Sequence, residues 1–203
     1  MKRRTFLVLS GYTMLLFLSA PSRAGSDPLP ACEWCGAADA PDDPGSTATL
    51  AGPDELGERL LLHGVVHAAD GRTPVPGVLL YAYHTNANGI YPRRGNETGN
   101  GRRHGHLRGW VVSDADGRYR IRTIRPAAYP SRSEPAHIHM TATEPGRAEY
   151  WLDDVLFEGD PLITPDILSR RNGRGGPAIV RPERTGDGTL VVRRDVILAA
   201  PDD

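Results

Sequence analysis

Several things are scarce in this chain of 203 residues, and each scarcity excludes something. There are only two cysteines, too few for a disulfide-built scaffold. Charge of one sign is not in excess: 24 Lys+Arg stand against 25 Asp+Glu, a formal net charge of -1. No global basic field exists to attract nucleic acid, and no acidic surplus suggests a solvating tail. Internal repeats and long amphipathic helical patterns are missing as well. What is abundant is punctuation, with 23 glycines and 18 prolines beside 39% hydrophobic residues. That composition fits many short strands joined by long ordered loops around one core. The length allows one domain plus tails.

The chain opens with a targeting pattern. Lys2, Arg3 and Arg4 form a basic start, residues 6–18 are mostly apolar, and Ser22-Arg23-Ala24 offers small residues for cleavage. The apolar run is short and broken by Ser10, Gly11 and Thr13, so it predicts no membrane span in the mature protein. Residues 1–24 therefore read as a signal peptide and the protein as exported, to the periplasm or outside the cell. Arg3-Arg4-Thr5-Phe6-Leu7 resembles a twin-arginine signal, a route that exports folded proteins. Residues 25–57, rich in Pro, Asp, Ala and Gly, read as an extended N-terminal arm. Within it, Cys32 and Cys35 would need two more ligands nearby to hold zinc and lack the βαβ setting of a redox motif, so a disulfide, local or intermolecular, is expected.

Residues 58–203 carry strand signals. Residues 60–68 and 78–84 are apolar runs bounded by the turns Asp70-Gly71 and Pro74-Val75-Pro76-Gly77. Residues 109–113 and 118–124 read as a hairpin about Asp114-Ala115-Asp116-Gly117. In its second strand Tyr119, Ile121 and Thr123 alternate with Arg118, Arg120 and Arg122. Further strands are predicted over 136–143, 149–157 and 189–199, with a helical turn near 167–175. The architecture expected is all-β, an antiparallel two-layer β-sandwich with long loops.

The sharpest chemical signal is Pro135-Ala136-His137-Ile138-His139-Met140. In a strand, residues i and i+2 share a face, so His137 and His139 present two imidazoles side by side while Ile138 faces the other way. Such a pair is half of a site for iron, copper or zinc, or else lines a wet sheet face. The remaining donors must come from elsewhere. Tyr91 follows a glycine loop, and Tyr129 sits in Ala127-Ala128-Tyr129-Pro130. Phenol has an ordinary pKa of about 10, and a hard, highly charged ion such as Fe(III) can depress it enough to bind phenolate.

From residue 62 to residue 162 the sequence resembles the intradiol ring-cleavage dioxygenases, the family of protocatechuate 3,4-dioxygenase and catechol 1,2-dioxygenase. The similarity lies in an ordered set of motifs. Gly64-Val65-Val66, Pro76-Gly77-Val78 and Gly89-Ile90-Tyr91 come first. Asp114-Ala115-Asp116-Gly117-Arg118-Tyr119, Arg122-Thr123-Ile124-Arg125-Pro126 and Tyr129-Pro130 follow. The histidine pair and Phe157-Glu158-Gly159-Asp160-Pro161 complete it. The resemblance implies Fe(III) held by Tyr91, Tyr129, His137 and His139. Tyr91 and His139 would stay bound. Tyr129, axial to His137, would be released when a catechol-type substrate chelates the metal, and O2 would open the ring to a cis,cis-muconate-type diacid. No external reductant is implied, and the sequence is compatible with an oligomer.

The chain departs from the family pattern at several points. Glu134 stands where arginine is usual, Asp154 where glutamine is usual and Tyr83 where tryptophan is usual, and the stretch between Tyr129 and His137 is short. The positive group that would stabilise developing negative charge is thus missing from its usual place, and Arg132 in the shortened loop is the candidate to replace it. His84, His104 and His106, and the arginines at 93, 94, 102, 103, 108, 170, 171 and 174, read as solvated. Two competing readings remain at this level. One is a non-catalytic exported β-sandwich module of the transthyretin-like kind, which Gly64-Val65-Val66 and Pro76-Gly77-Val78 also resemble. The other is a degenerate family member that binds iron or catechols without efficient turnover.

Overall fold

The computed structural model describes residues 33–200, so the predicted signal peptide, Cys32 and residues 201–203 lie outside the described residues. Cys35 is disulfide-bonded. Among the described residues no helix is long and apolar enough to cross a membrane.

Among the described residues twelve strands form two sheets. In the first, β1 (Thr47–Thr49), β5 (Arg118–Ile124), β2 (Arg59–His67), β11 (Leu190–Arg193) and β10 (Glu183–Arg184) lie in that order, and β12 (Val196–Ile197) pairs with the far end of β2. In the second, β4 (Arg108–Val112), β3 (Leu79–His84), β6 (His137–Thr143), β8 (Val155–Phe157) and β9 (Ile179–Val180) are neighbours, and β7 (Tyr150–Trp151) pairs with β6. Short helices α1 (Gly101–His104) and α2 (Pro165–Ser169) lie in the loops.

The alternation in β5 does what it predicts: Tyr119 and Ile121 enter the core while Arg118, Arg120 and Arg122 face water. On β2 the inward residues are Leu60, Leu62, Gly64 and Val66. From the second sheet Leu80, Ala82, Ile138, Met140 and Ala142 meet them. The core is therefore aliphatic and lies between the sheets.

The sheets are mixed rather than purely antiparallel. β1 runs parallel to β5, β11 and β12 run parallel to β2, and β9 runs parallel to β8. Residues 47–49 of the predicted arm thus close an edge of the first sheet, and Leu50 and Ala51 beyond them are buried. The strand predicted over 149–157 is interrupted at Leu152, Asp153 and Asp154. The final strand breaks at Arg194 and Asp195. Arg194 is buried there, its guanidinium donating to the carbonyls of Asp153 and Gly175.

The expectation that His84 and His104 are solvated is wrong. His84 is 0% exposed. Its Nδ1 donates to the Thr85 carbonyl, and its Nε2 accepts from Thr123 Oγ1 at 2.6 Å, tying the two sheets together. Burial holds its imidazole down to about 4. A ring whose folded pKa lies below its unfolded value near 6.5 stabilises the fold fully above that value, and this stability is lost as pH falls toward 4. The urea midpoint is expected to fall between pH 7 and pH 4.5, with His84 contributing roughly 1 kcal/mol per pH unit over that window. An unchanged midpoint would contradict this.

Candidate metal centre

The donors gather on the outer face of the second sheet, away from the aliphatic core. On β6, Ile138, Met140 and Ala142 point inward, so His137 and His139 point outward. Register places Tyr83 of β3 opposite His139, and the two rings stack with centroids 4.5 Å apart. Trp151 of β7 flanks the same imidazole at 5.2 Å.

Both tyrosines arrive on loops that are stitched to each other. Thr85 Oγ1 donates to the Ala127 carbonyl, and Ala127 N–H donates to the Asn86 carbonyl. Gly89, at φ +76°, lets the Tyr91 loop lie against the Tyr129 loop, because a Cβ there would fall 2.0 Å from the Ala128 carbonyl oxygen. The arm covers the next layer. Gly36 lies on the Tyr81 ring so closely that a Cβ would overlap it, and Trp110 Nε1 donates to its carbonyl at 2.7 Å. Its own N–H donates to Glu149. His104, also predicted to be solvated, is buried here. Its Nε2 donates to the Glu33 carbonyl and its Nδ1 accepts from Tyr81 Oη at 2.7 Å.

The four predicted donors converge. Tyr91 Oη lies 2.7 Å from Tyr129 Oη and 2.9 Å from His139 Nε2. The two Nε2 atoms are 3.0 Å apart, and Tyr129 Oη lies 3.2 Å from that of His137 and 3.3 Å from that of His139. The proton inventory shows what this cluster needs. His137 Nδ1 faces the Pro135 carbonyl at 2.7 Å and must donate to it. His139 Nδ1 donates to Asp154 Oδ1 at 2.8 Å. Each neutral ring therefore turns a lone pair inward at Nε2. Two phenolic protons cannot satisfy five short contacts among four acceptor atoms, and the Nε2–Nε2 contact holds none. A cation among the four turns every one of these lone pairs into a donor, so the residues fit a bound metal ion. Spacings near 3 Å suit donors gathered about one first-row ion with bonds of about 2 Å. His137, His139 and Asp154 also form a group able to hold a metal. Asp154, however, contacts the nitrogen of His139 that faces away from the tyrosines, so Tyr91 and Tyr129 are better placed to complete the donor set.

Electrostatics agree. Without a cation, burial raises the Tyr91 phenol above its ordinary value, as does its contact with Tyr129, and burial raises that of Tyr129 too. Burial likewise lowers His137, which keeps its imidazole neutral. Asp154 is held below the usual carboxylate range. Burial opposes its charge, but His139, His137 and Arg171 outweigh that.

A cavity of about 330 Å³ opens beside the donors. Tyr129, His137 and His139 line one side, and Trp151, Ile167 and Arg171 line others. Arg132 does not line it. That residue lies exposed at φ +53°, its N–H donating to the Tyr129 carbonyl. The cationic groups at the cavity come instead from the end of α2: Arg170, paired with Glu134 at 3.2 Å, and Arg171, which donates to the Asp154 carbonyl at 2.8 Å. The expectation that Arg171 is solvated is corrected by its 17% side-chain exposure. Asp154 and Arg171 are the site residues the sequence did not single out for a role. A carboxylate where the family pattern has an amide was the available signal for Asp154. A larger cavity of about 640 Å³, against Leu61 and Val191 of the other sheet, contains none of the donors.

A family model described as "Dioxygenase" matches residues 34–180. Catechol 1,2-dioxygenase 1 of Acinetobacter lwoffii is 33% identical over 159 residues, covering 70% of this chain and 49% of that protein. The protocatechuate 3,4-dioxygenase beta chain of Burkholderia cepacia is 32% identical over 129 residues, 57% of this chain and 51% of its own length. The chain thus spans about half the length of the curated relatives it matches. Among solved structures, the dioxygenase domain of a dioxygenase–carbohydrate-binding fusion from Streptomyces sp. SirexAA-E superposes with a TM-score of 0.59. It covers 79% of this chain and 92% of that one at 24% identity, a likeness of fold. Catechol 1,2-dioxygenase from Pseudomonas arvilla C-1 gives a TM-score of 0.58 at 22% identity, over 77% of this chain and 58% of that one. With the family model matching most of its length and its motifs in order, the chain belongs to the intradiol ring-cleavage dioxygenase family.

Proposed function

We propose that the protein binds Fe(III) through Tyr91, Tyr129, His137 and His139 and uses O2 to cleave a catechol-type ring between its two hydroxylated carbons. The product is a cis,cis-muconate-type diacid. The observation that carries this reading is the convergence of two phenols and two inward-facing imidazole lone pairs beside a cavity. Those four residues would hold a ferric ion, which would supply the Lewis acidity that keeps phenols ionised.

The residues divide the remaining work. His139, clamped between Tyr83 and Trp151, and Tyr91, which does not line the cavity, act as the fixed donors. Tyr129 lines the cavity and sits on the exposed loop that carries Pro130, Ser131 and Arg132. It would be the donor placed to move away from a bound ion, and its Oη would then be able to take one of the protons the substrate must lose. Trp151, Leu156 and Ile167 give the cavity apolar walls against which an aromatic ring packs. A transthyretin-like display module has no need of four converging donors. We also propose that residues 1–24, whose start resembles a twin-arginine signal, direct export, and that the arm of residues 25–57 adds strand β1 to the sandwich that residues 58–203 otherwise build.

The test is product chemistry. Iron-loaded protein given catechol in air is expected to consume one O2 per catechol and to yield the ultraviolet absorbance of cis,cis-muconate. A yellow semialdehyde, which marks cleavage outside the diol, or the absence of O2 uptake would overturn the proposal.

A further inference from the structure

We infer that Asp154 is a positioning residue that sets the electron-donating strength of His139, and through it the affinity and the charge-transfer energy of the metal centre. The inference rests on the ferric reading above, which uses the Asp154 contact only to fix the tautomer of His139.

Asp154 closes the break between β7 and β8. The break is held from several sides. Leu152 is buried in the core, and its N–H donates to the Met140 carbonyl at 3.0 Å. The Asp153 carbonyl accepts from the buried Arg194 at 2.8 Å, and its carboxylate accepts from Gly173 N–H at 3.0 Å. The Asp154 carbonyl accepts from Arg171 at 2.8 Å. With the backbone fixed at both residues, the Asp154 carboxylate is delivered to one place, 2.8 Å from His139 Nδ1.

A carboxylate there can do two things. It can hold the ring's orientation and tautomer, and it can push electron density through Nδ1–H toward Nε2, making the imidazole a stronger donor. Packing already provides most of the first. Tyr83 stacks on the His139 ring, Trp151 flanks it, and β6 fixes its stem opposite Tyr83. An amide in the same position could also accept the Nδ1 proton. What only the carboxylate adds is charge. Keeping that charge in a largely enclosed place is costly. Arg171, 3.7 Å from the neighbouring Asp153 carboxylate and bonded to the Asp154 carbonyl, offsets part of the cost. The contact therefore acts electronically: it enriches His139 and makes the bound ion a weaker electron acceptor.

The test compares two isosteric pairs, wild type with Asp154→Asn and Asp154→Glu with Asp154→Gln. Each is loaded with iron, competed against a chelator and read by visible absorption. Circular dichroism confirms the sandwich in each. Loss of charge is expected to weaken iron binding about 10–100-fold. It should also move the tyrosinate-to-iron band to longer wavelength and raise the reduction potential. Asp154→Glu should lie nearer wild type than Asp154→Gln does. Bands and affinities that do not differ within either pair would overturn the inference while leaving the ferric site intact. A wild-type protein that takes up iron without colour would instead overturn the ferric reading, and this inference with it.

Discussion

Replacing His137 with alanine, or Tyr91 with phenylalanine, is expected to abolish tight iron binding while the sandwich stays folded. Each change removes one of four proposed donors that contact one another at 2.7 to 3.3 Å through five close pairs. The loss in affinity should exceed the roughly 10–100-fold that outer partners of metal ligands are worth. Folding should survive because the donors lie outside the core. The residues that bind the sheets together are Leu60, Leu62, Ile121, Ile138 and Met140 with their neighbours, and His137 is not among them. His137→Ala strands the Pro135 carbonyl, at a cost of about 1–3 kcal/mol. Tyr91→Phe keeps the ring that packs beside Tyr83 at 5.9 Å. Isothermal titration with iron beside circular dichroism reads both halves of the prediction. A doubly substituted protein that still binds one iron per chain would refute the donor assignment.

Tyr129→Phe should behave differently from either. It removes the donor at the cavity wall and leaves Tyr91, His137 and His139 in place. Iron should still bind, more weakly. Turnover should collapse, because the phenolate that leaves and accepts a substrate proton is gone. Loss of a positioned proton acceptor typically costs about 10²–10⁴-fold in rate. Steady-state kinetics should place the loss in kcat rather than in KM. Near-normal kcat in an iron-loaded Tyr129→Phe protein would show that this tyrosine is a bystander.

Much of this could be read from the residues, for identifiable reasons. β5 was legible because its arginines and apolar residues alternate with period 2 against a single core face. The histidine pair was legible because the same periodicity puts His137 and His139 on one side of β6. Other features depend on partners distant in sequence. His84 is buried by Thr123, 39 residues on, and His104 by Tyr81 and the Glu33 carbonyl. Neither contact has a local signature. The split between β7 and β8 answers to Arg194 and Arg171, both supplied from beyond it. The parallel pairings follow from how distant segments are connected, such as the long loop through α2 between β8 and β9, which alternation along one strand does not encode. Position 134 illustrates the same limit. The sequence shows a glutamate where a cation is usual, whereas the fold brings Arg170 and Arg171 to that wall from α2.

The proposed ferric site joins two tyrosinates and two histidines with room for a catechol. Its most direct measurement is the visible spectrum of the iron-loaded protein, before and after catechol is added under nitrogen. A red-brown tyrosinate charge-transfer band that shifts when catechol is added is the expected result. A protein that stays colourless after loading with iron in air would contradict it.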